Sequence, residues 1–324
     1  MPKRVLATYQ EFGLTSLSLL DSCLQEAGAS LERLNRLGPM PEHEFIEALK
    51  GYETVISCTS MDTFNARVMD ACAELKVISR HGVGYEHIDI SAARERGIYV
   101  CTTHTGTGQP RAVADLAMGM IIALARRLIA FNIEIRKELW HRPLTKDLFG
   151  STLGIIGVGR IGKAVARRAR PFGFRLLGHD ILEDEGFADE VGLCYTSLEH
   201  LLAESDFVSI HLPLTEQTKG LMNRDRISQM KPGAILINTA RGPILDDDSV
   251  YEALVSGQLS GAGIDVWVTE PPVGVRLLEL DNVLATPHVA AYTENTIQAM
   301  DLMALLPCLD YHLGKRPRNV INGL

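Results

Sequence analysis

The chain has no CxxC pair. Its six cysteines (Cys23, Cys58, Cys72, Cys101, Cys194 and Cys308) are scattered along 324 residues. That excludes a disulfide framework or a zinc ribbon and suits free thiols in a reducing compartment. No two histidines or cysteines stand at metal-ligand spacing, so no metal is expected. Charge of one sign is not in marked excess either. The formal net charge is −8, and acidic and basic residues interleave without a block of like charge. This excludes a basic nucleic-acid groove and a membrane-binding face. Long apolar runs are missing as well. The most apolar stretch, residues 112–125, contains Asp115 and stops at Arg126-Arg127. It falls short of the roughly 20 residues that a bilayer span requires and suits a buried helix. The first residues, Met1-Pro2-Lys3-Arg4, lead at once into Val5-Leu6-Ala7, too short an apolar segment for a signal peptide. The expectation is a soluble, cytoplasmic protein with neither nucleic acid nor membrane as partner.

What is present is ordinary globular composition, 46% apolar and 22% charged, in a chain long enough for two domains. Short β-rich runs (Val5-Leu6-Ala7, Thr54-Val55-Ile56-Ser57, Lys76-Val77-Ile78, Ile98-Tyr99-Val100) alternate with helical patterns such as 42–49 and 63–72. This βα rhythm predicts a parallel sheet with helices on its faces. It restarts at Leu153 with six further runs, at 154–156, 175–178, 207–210, 234–237, 263–266 and 283–285. Six such strands match a doubly wound nucleotide-binding sheet. Residues 293–313 form one helical pattern with no strand to accompany it, and packing back on the first domain is its simplest fate. A cleft between the domains is then the expected place for a ligand.

The first strand of the second series runs into Gly157-Val158-Gly159-Arg160-Ile161-Gly162 and then the helical run 163–170. A GxGxxG pattern alone is weak, because glycine is common in turns. Between a strand and a helix it has a mechanism. Gly157 permits the tight turn, Gly159 lets backbone approach a pyrophosphate, and Gly162 lets helix and strand pack closely. The helix N-terminus then offers unsatisfied N–H groups to phosphate. Asp180 closes the next strand, where an acid accepts from the adenosine ribose hydroxyls. Glu183, Asp184 and Glu185 follow, and no arginine stands beside Asp180 for a 2′-phosphate. The expected cofactor is NAD rather than NADP.

Three later strands end in chemistry-bearing motifs: Asn238-Thr239-Ala240-Arg241-Gly242, Asp265-Val266 leading to Glu270-Pro271-Pro272, and Thr286-Pro287-His288-Val289-Ala290-Ala291. With the glycine loop and His211-Leu212-Pro213-Leu214, the chain resembles the D-isomer-specific 2-hydroxyacid dehydrogenases along essentially its whole length. That family includes phosphoglycerate dehydrogenase and the glyoxylate/hydroxypyruvate reductases. The resemblance implies that Arg241, Glu270 and His288 are catalytic. It implies cofactor contacts from Gly157, Gly159, Arg160, Ile161, Gly162, Asp180, His211, Leu212, Pro213, Thr239, Ala240, Asp265 and Ala291, with Asp265 accepting from the nicotinamide carboxamide. Arg80-His81-Gly82-Val83-Gly84 resembles the family's substrate loop, where the Val83 and Gly84 amides would hold the substrate carboxylate beside Arg80 and Arg241. The implied fold is α/β with two domains. A doubly wound, parallel Rossmann-type sheet spans residues 103–291, with a dimerisation arm near 116–150. A smaller flavodoxin-like substrate domain comprises residues 1–102 and 292–324.

Residue chemistry agrees independently. Reducing a 2-keto acid demands a proton at the carbonyl oxygen as hydride reaches carbon, and histidine is the usual donor. A carboxylate such as Glu270 orients an imidazole and favours its charged form. A guanidinium such as Arg241 presents a planar fork to a carboxylate and the adjacent carbonyl. His81, His87, His104, His141 and His211 show no such pairing in the sequence and are read as structural or supporting, His211 through its place in the cofactor motif. The segment 104–115 departs from the family pattern and is somewhat longer, which bears on substrate identity. Ser57-Cys58-Thr59-Ser60 stands where phosphoglycerate dehydrogenases carry a basic residue, while Trp140-His141-Arg142 resembles an arm that crosses a dimer interface. No appended regulatory domain is expected after Leu324. The reading is an NAD-dependent homodimeric dehydrogenase of a small 2-hydroxy/2-keto acid, whether 3-phosphoglycerate or glyoxylate/hydroxypyruvate. Its rivals are an NAD(H)-sensing dimeric protein of corepressor type and a phosphite- or formate-type dehydrogenase.

Overall fold

The computed structural model describes residues 3–36, 38–103 and 108–324. Of the atypical segment 104–115, residues 104–107, His104 among them, lie outside the described residues. The chain forms two compact units, Met1–Gly108 with Thr293–Leu324, and Gln109–Tyr292.

The first unit is a five-stranded, all-parallel sheet of β1 (Lys3–Ala7), β2 (Ala29–Arg33), β3 (Thr54–Ser57), β4 (Val77–Arg80) and β5 (Tyr99–Thr102), in the order β2-β1-β3-β4-β5. This is the flavodoxin-like order. Alternation along the strands sorts the core. Leu6, Val55, Ile78 and Val100 face one layer with Phe45, Leu49 and Val68. Val5, Ala7, Ile56 and Val77 face the other with Leu20, Ala304, Leu305 and Cys308. The helix Glu294–His312 belongs to that second layer, packed on β3, β4 and β5. The sequence reading gave four strands here. The fifth, β2, is an edge strand whose Ser30, Glu32 and Arg33 lack β-branched apolar character, so periodicity does not reveal it. The helix Leu17–Ala27 ahead of it was also not anticipated.

The second unit holds β6 (Thr152–Ile156), β7 (Arg175–His179), β8 (Leu193–Tyr195), β9 (Phe207–Ile210), β10 (Ala234–Asn238), β11 (Leu259–Ile264) and β12 (Val283–Ala285). All pairs are parallel, in the order β12-β11-β10-β9-β6-β7-β8. From β6 the chain builds outward through β7 and β8, then returns to β9 on β6's other side. That reversal is the switch point of a doubly wound sheet, where ligands bind beyond the strands' carboxyl ends. The three-residue β8 is the strand that the six expected runs left out. The helix Gln109–Ala125 is buried against β10, β11 and the helix Arg160–Ala169. After it, the helix Leu128–Arg136 buries no residue, and Trp140 (79% exposed), Leu144 (100%) and Phe149 (83%) continue an apolar, uncovered segment. Among the described residues no single helix is long and apolar enough to cross a membrane.

Candidate active site

Parallel register lines up the candidate residues of the second unit. Ala285, Ile264, Asn238, Ile210, Ile156 and His179 stand side by side on six neighbouring strands. Each is the last or near-last residue of its strand. Just beyond them come Thr286-Pro287-His288, Asp265, Thr239-Ala240-Arg241, His211, Gly157 and Asp180. Six segments far apart in sequence therefore converge on one sheet edge.

The three glycines of the loop stand in different surroundings. Gly157 has φ +92°, and a Cβ there would lie 2.7 Å from the His211 carbonyl oxygen. At Gly162 a Cβ would meet the Gly157 carbonyl oxygen at 2.1 Å, so the helix can seat only with glycine in that position. Gly159 is exposed, and a Cβ added to it would enter open space. The helix Arg160–Ala169 that it caps has no side-chain cap and no acid in its first turn, which leaves its N–H groups for an anion. Asp180 ties the two turns together. Its carboxylate accepts from the Val158 N–H at 2.7 Å and the Leu182 N–H at 3.0 Å. Three strands along the same row, the Thr239 hydroxyl is buried without a protein partner among the described residues. An open glycine, an uncapped helix start, a placed acid and an orphaned hydroxyl fit a dinucleotide.

His211 is held through Nε2 by the Ser209 hydroxyl at 2.8 Å, with Nδ1 buried and unpartnered among the described residues. Burial pushes its imidazole down from 6.5 to about 3. Folding thus withholds a proton that the unfolded chain takes up. This contribution is complete above pH 6.5 and is lost as pH falls toward 3, by about 1.4 kcal/mol per pH unit. Urea unfolding between pH 6 and pH 4 should show a steeper loss of stability in wild type than in His211→Asn. Equal slopes would remove His211 from the acid limb.

At the other end of the row, Asn238 is fully buried. Its side chain accepts from the Ala240 N–H (3.0 Å) and donates to the Arg241 carbonyl (2.9 Å), which fixes the turn that presents Arg241. A Cβ on Gly242 would lie 2.1 Å from the Trp267 carbonyl carbon, so this turn packs directly on the segment leading to Glu270. His288 Nδ1 meets both Glu270 oxygens, at 2.9 and 3.0 Å, while the ring remains half exposed. Asp265, expected as a cofactor contact, lies beneath the surface at 0% exposure. Its carboxylate accepts from the Thr286 hydroxyl (2.5 Å), the Val289 N–H (2.8 Å) and the Ala290 N–H (3.0 Å). Asn238, Thr286 and Ser209 are supporting residues that sequence reasoning did not single out. Asn238 and Thr286 stand inside the quoted motifs, but only the fold shows what their side chains bind.

In the first unit the loop after β4 carries Arg80, Val83 and Gly84. The Arg80 guanidinium braces the loop itself, with Nε donating to the Gly84 carbonyl (2.9 Å) and Nη1 to the Ser57 carbonyl (3.0 Å). The Val83 and Gly84 amides have no acceptor among the described residues. No group of three or more His, Cys, Asp or Glu among the described residues is arranged to hold a metal.

The family described as D-isomer specific 2-hydroxyacid dehydrogenase, NAD binding domain, matches residues 118–290. A glyoxylate reductase of Korarchaeum cryptofilum is 40% identical over 291 residues, which cover 88% of this chain and 87% of that protein. A hydroxypyruvate reductase of Thermotoga maritima is 41% identical over 244 residues, covering 74% and 78%. Among solved structures, the TT0316 protein from Thermus thermophilus superposes with a TM-score of 0.88 at 40% identity, covering 98% of this chain and 99% of that one.

Proposed function

The chain belongs to the D-isomer-specific 2-hydroxyacid dehydrogenases and is an NAD-dependent oxidoreductase acting on CH–OH groups, and on that premise we propose that it reduces a small, unphosphorylated 2-keto acid of the glyoxylate or hydroxypyruvate type. The observation that carries this reading is the His288–Glu270 pair at the sheet edge, in the same row as the glycine loop. With Nδ1 held by the carboxylate, the ring presents Nε2 outward and delivers a proton to the substrate's carbonyl oxygen. Bound NADH supplies the hydride to C2. Arg241 grips the carboxylate and the adjacent oxygen, and the Val83 and Gly84 N–H groups donate to the carboxylate. In the reverse direction His288 takes the hydroxyl proton.

Two features support an unphosphorylated substrate. Cys58, Thr59 and Ser60 supply no cation. The Arg36 guanidinium is buried against the Asp62 carboxylate and donates to the Thr8 carbonyl, and Arg80 is engaged by its own loop. Phosphate recognition ordinarily uses several available cations. A homodimer is part of the proposal, with a second copy covering the uncovered segment 128–149. So is a cytoplasmic setting, supported by six cysteines none of which is bonded to another.

The test is NADH oxidation with glyoxylate, hydroxypyruvate, pyruvate and phosphohydroxypyruvate. One of the first two should give the highest kcat/KM. NADPH should bind at least about tenfold more weakly than NADH, since the acidic run after Asp180 repels a 2′-phosphate. Preference for phosphohydroxypyruvate would overturn the substrate assignment. Tight NADH binding without turnover of any keto acid would favour a sensing protein instead.

A further inference from the structure

The first unit buries an acid–base pair that the reaction chemistry does not use. His81 opens the loop after β4 and is nearly fully enclosed. Its Nε2 lies 2.9 Å from Oδ1 of Asp301, a residue at 0% exposure midway along the helix Glu294–His312. The other Asp301 oxygen accepts from the Ser16 hydroxyl at 2.5 Å, just ahead of the helix Leu17–Ala27. Phe12 closes edge-on over the imidazole, with ring centroids 5.4 Å apart at 86°. One carboxylate thus joins three segments: the start of the first helix, the loop after β4, and the return helix.

A buried polar pair of this kind is an expensive way to hold segments together, since apolar side chains of similar volume usually do so at least as well. What the pair adds is a fixed point: Nε2 and Oδ1 approach to 2.9 Å without the alignment of a hydrogen bond, and this close polar contact holds the ring against one oxygen of a carboxylate whose other oxygen is anchored by Ser16. The position it fixes is next to Gly82, Val83 and Gly84. The loop is pinned on every side of the two unpartnered amides. The His81 N–H donates to the Ser57 carbonyl (2.9 Å), the Thr103 N–H to the Gly82 carbonyl (3.1 Å), and Arg80 Nε to the Gly84 carbonyl (2.9 Å). Those contacts restrain backbone carbonyls and the loop's ends. The His81–Asp301 contact ties a loop side chain to the return helix.

We infer that His81 and Asp301, with Ser16 as the third member, are positioning residues that preorganise the Val83 and Gly84 N–H groups for the substrate carboxylate. The inference rests on the proposed role of those two amides. A binding element that is preorganised equally for ground state and transition state shows itself in KM rather than kcat. Loosening it therefore has a defined kinetic signature.

The experiment compares His81→Gln, Asp301→Asn, the double variant and Ser16→Ala with wild type, measuring keto-acid KM, kcat at saturation, NADH Kd and melting temperature. His81→Gln and Asp301→Asn should each raise KM about tenfold while leaving kcat within about twofold and NADH Kd unchanged. The double variant should be no worse than the singles, because both remove one interaction. Ser16→Ala leaves the imidazole contact in place and should give a smaller rise, which keeps the inference readable if a harsher variant fails to fold. Val83→Asp serves as the control for the underlying reading, since a carboxylate beside the amides should repel the substrate. If Val83→Asp leaves KM unchanged, the amide reading falls. If Val83→Asp raises KM while the His81, Asp301 and Ser16 variants lower only melting temperature or kcat, the positioning role alone is overturned.

Discussion

Replacing His288 by alanine should lower kcat by about 10²–10⁴-fold, the range that a positioned general acid commonly supplies, while NADH binding stays as in wild type. Both Glu270 oxygens lie within hydrogen-bonding distance of His288 Nδ1, so the ring is held by one nitrogen and works through the other. The ring is half exposed, hence its removal should cost little stability, and a fall in kcat can be assigned to chemistry. Glu270→Gln should fall between wild type and His288→Ala, because an amide oxygen can still accept from Nδ1 but carries no charge to favour the imidazolium that forms during the reverse reaction. The measurement is single-turnover NADH oxidation with the best keto acid, paired with NADH titration. Undiminished turnover in His288→Ala would remove this residue from the mechanism and with it the proposed route of the proton.

The parts of this arrangement that were legible in the sequence share one property: they are local. Gly157, Gly159 and Gly162 announce a strand-to-helix turn because three glycines and an adjacent apolar run leave few other conformations. The strand ends at Asn238 and Ala285 are marked by the polar or proline-bearing turns that follow them. The periodic segments 42–49 and 112–125 have the spacing of helices, and the structure makes both helical. Where the sequence was ambiguous, the cause is also physical. β2 is a half-buried edge strand with little apolar signal, and β8 spans three residues. Strand β11 spans Leu259–Ile264, starting earlier than the expected run 263–266 and ending two residues before that run's end, and this difference moves Asp265 from a strand interior to the first residue beyond it. Contacts over long separations carry no sequence signature at all. Ser16 and Asp301 are 285 residues apart, and nothing in either neighbourhood tells of the other. At Arg80 the residue type suits an anion, and only the fold shows that two of its donors go to the backbone carbonyls of Gly84 and Ser57.

Asp265→Asn should be nearly as damaging as loss of His288 itself, though the residue is fully buried. Its two oxygens face only donors: the Thr286 hydroxyl and the Val289 N–H on one, the Ala290 N–H on the other. An asparagine has one oxygen to offer. Whichever way its amide turns, an NH₂ group meets at least one N–H head-on, and the remaining bonds lose their charge. Bonds to charged groups contribute about 1.5–3 kcal/mol each, and an unmet buried donor costs about 1–3 kcal/mol. A stability loss of about 3 kcal/mol is expected, or a melting temperature lower by roughly 6–12 °C for a unit of this size. The kinetic consequence follows from what the carboxylate holds. His288 has φ +55°, a left-handed conformation that a non-glycine residue keeps only where its surroundings impose it. Its own N–H donates to the Asp265 carbonyl at 2.8 Å, and the next two amides go to the Asp265 side chain. With that grip loosened, the backbone at 288 relaxes toward ordinary φ and the imidazole swings away from Glu270. A displacement of about 1 Å at a catalytic group costs on the order of 10²-fold, so kcat should fall by about that factor while NADH Kd changes little. Calorimetry and steady-state kinetics on the same preparation check both halves. If instead NADH affinity collapses while kcat at saturating cofactor survives, the carboxylate serves the nicotinamide directly, and the loop at 288 owes its conformation to something else.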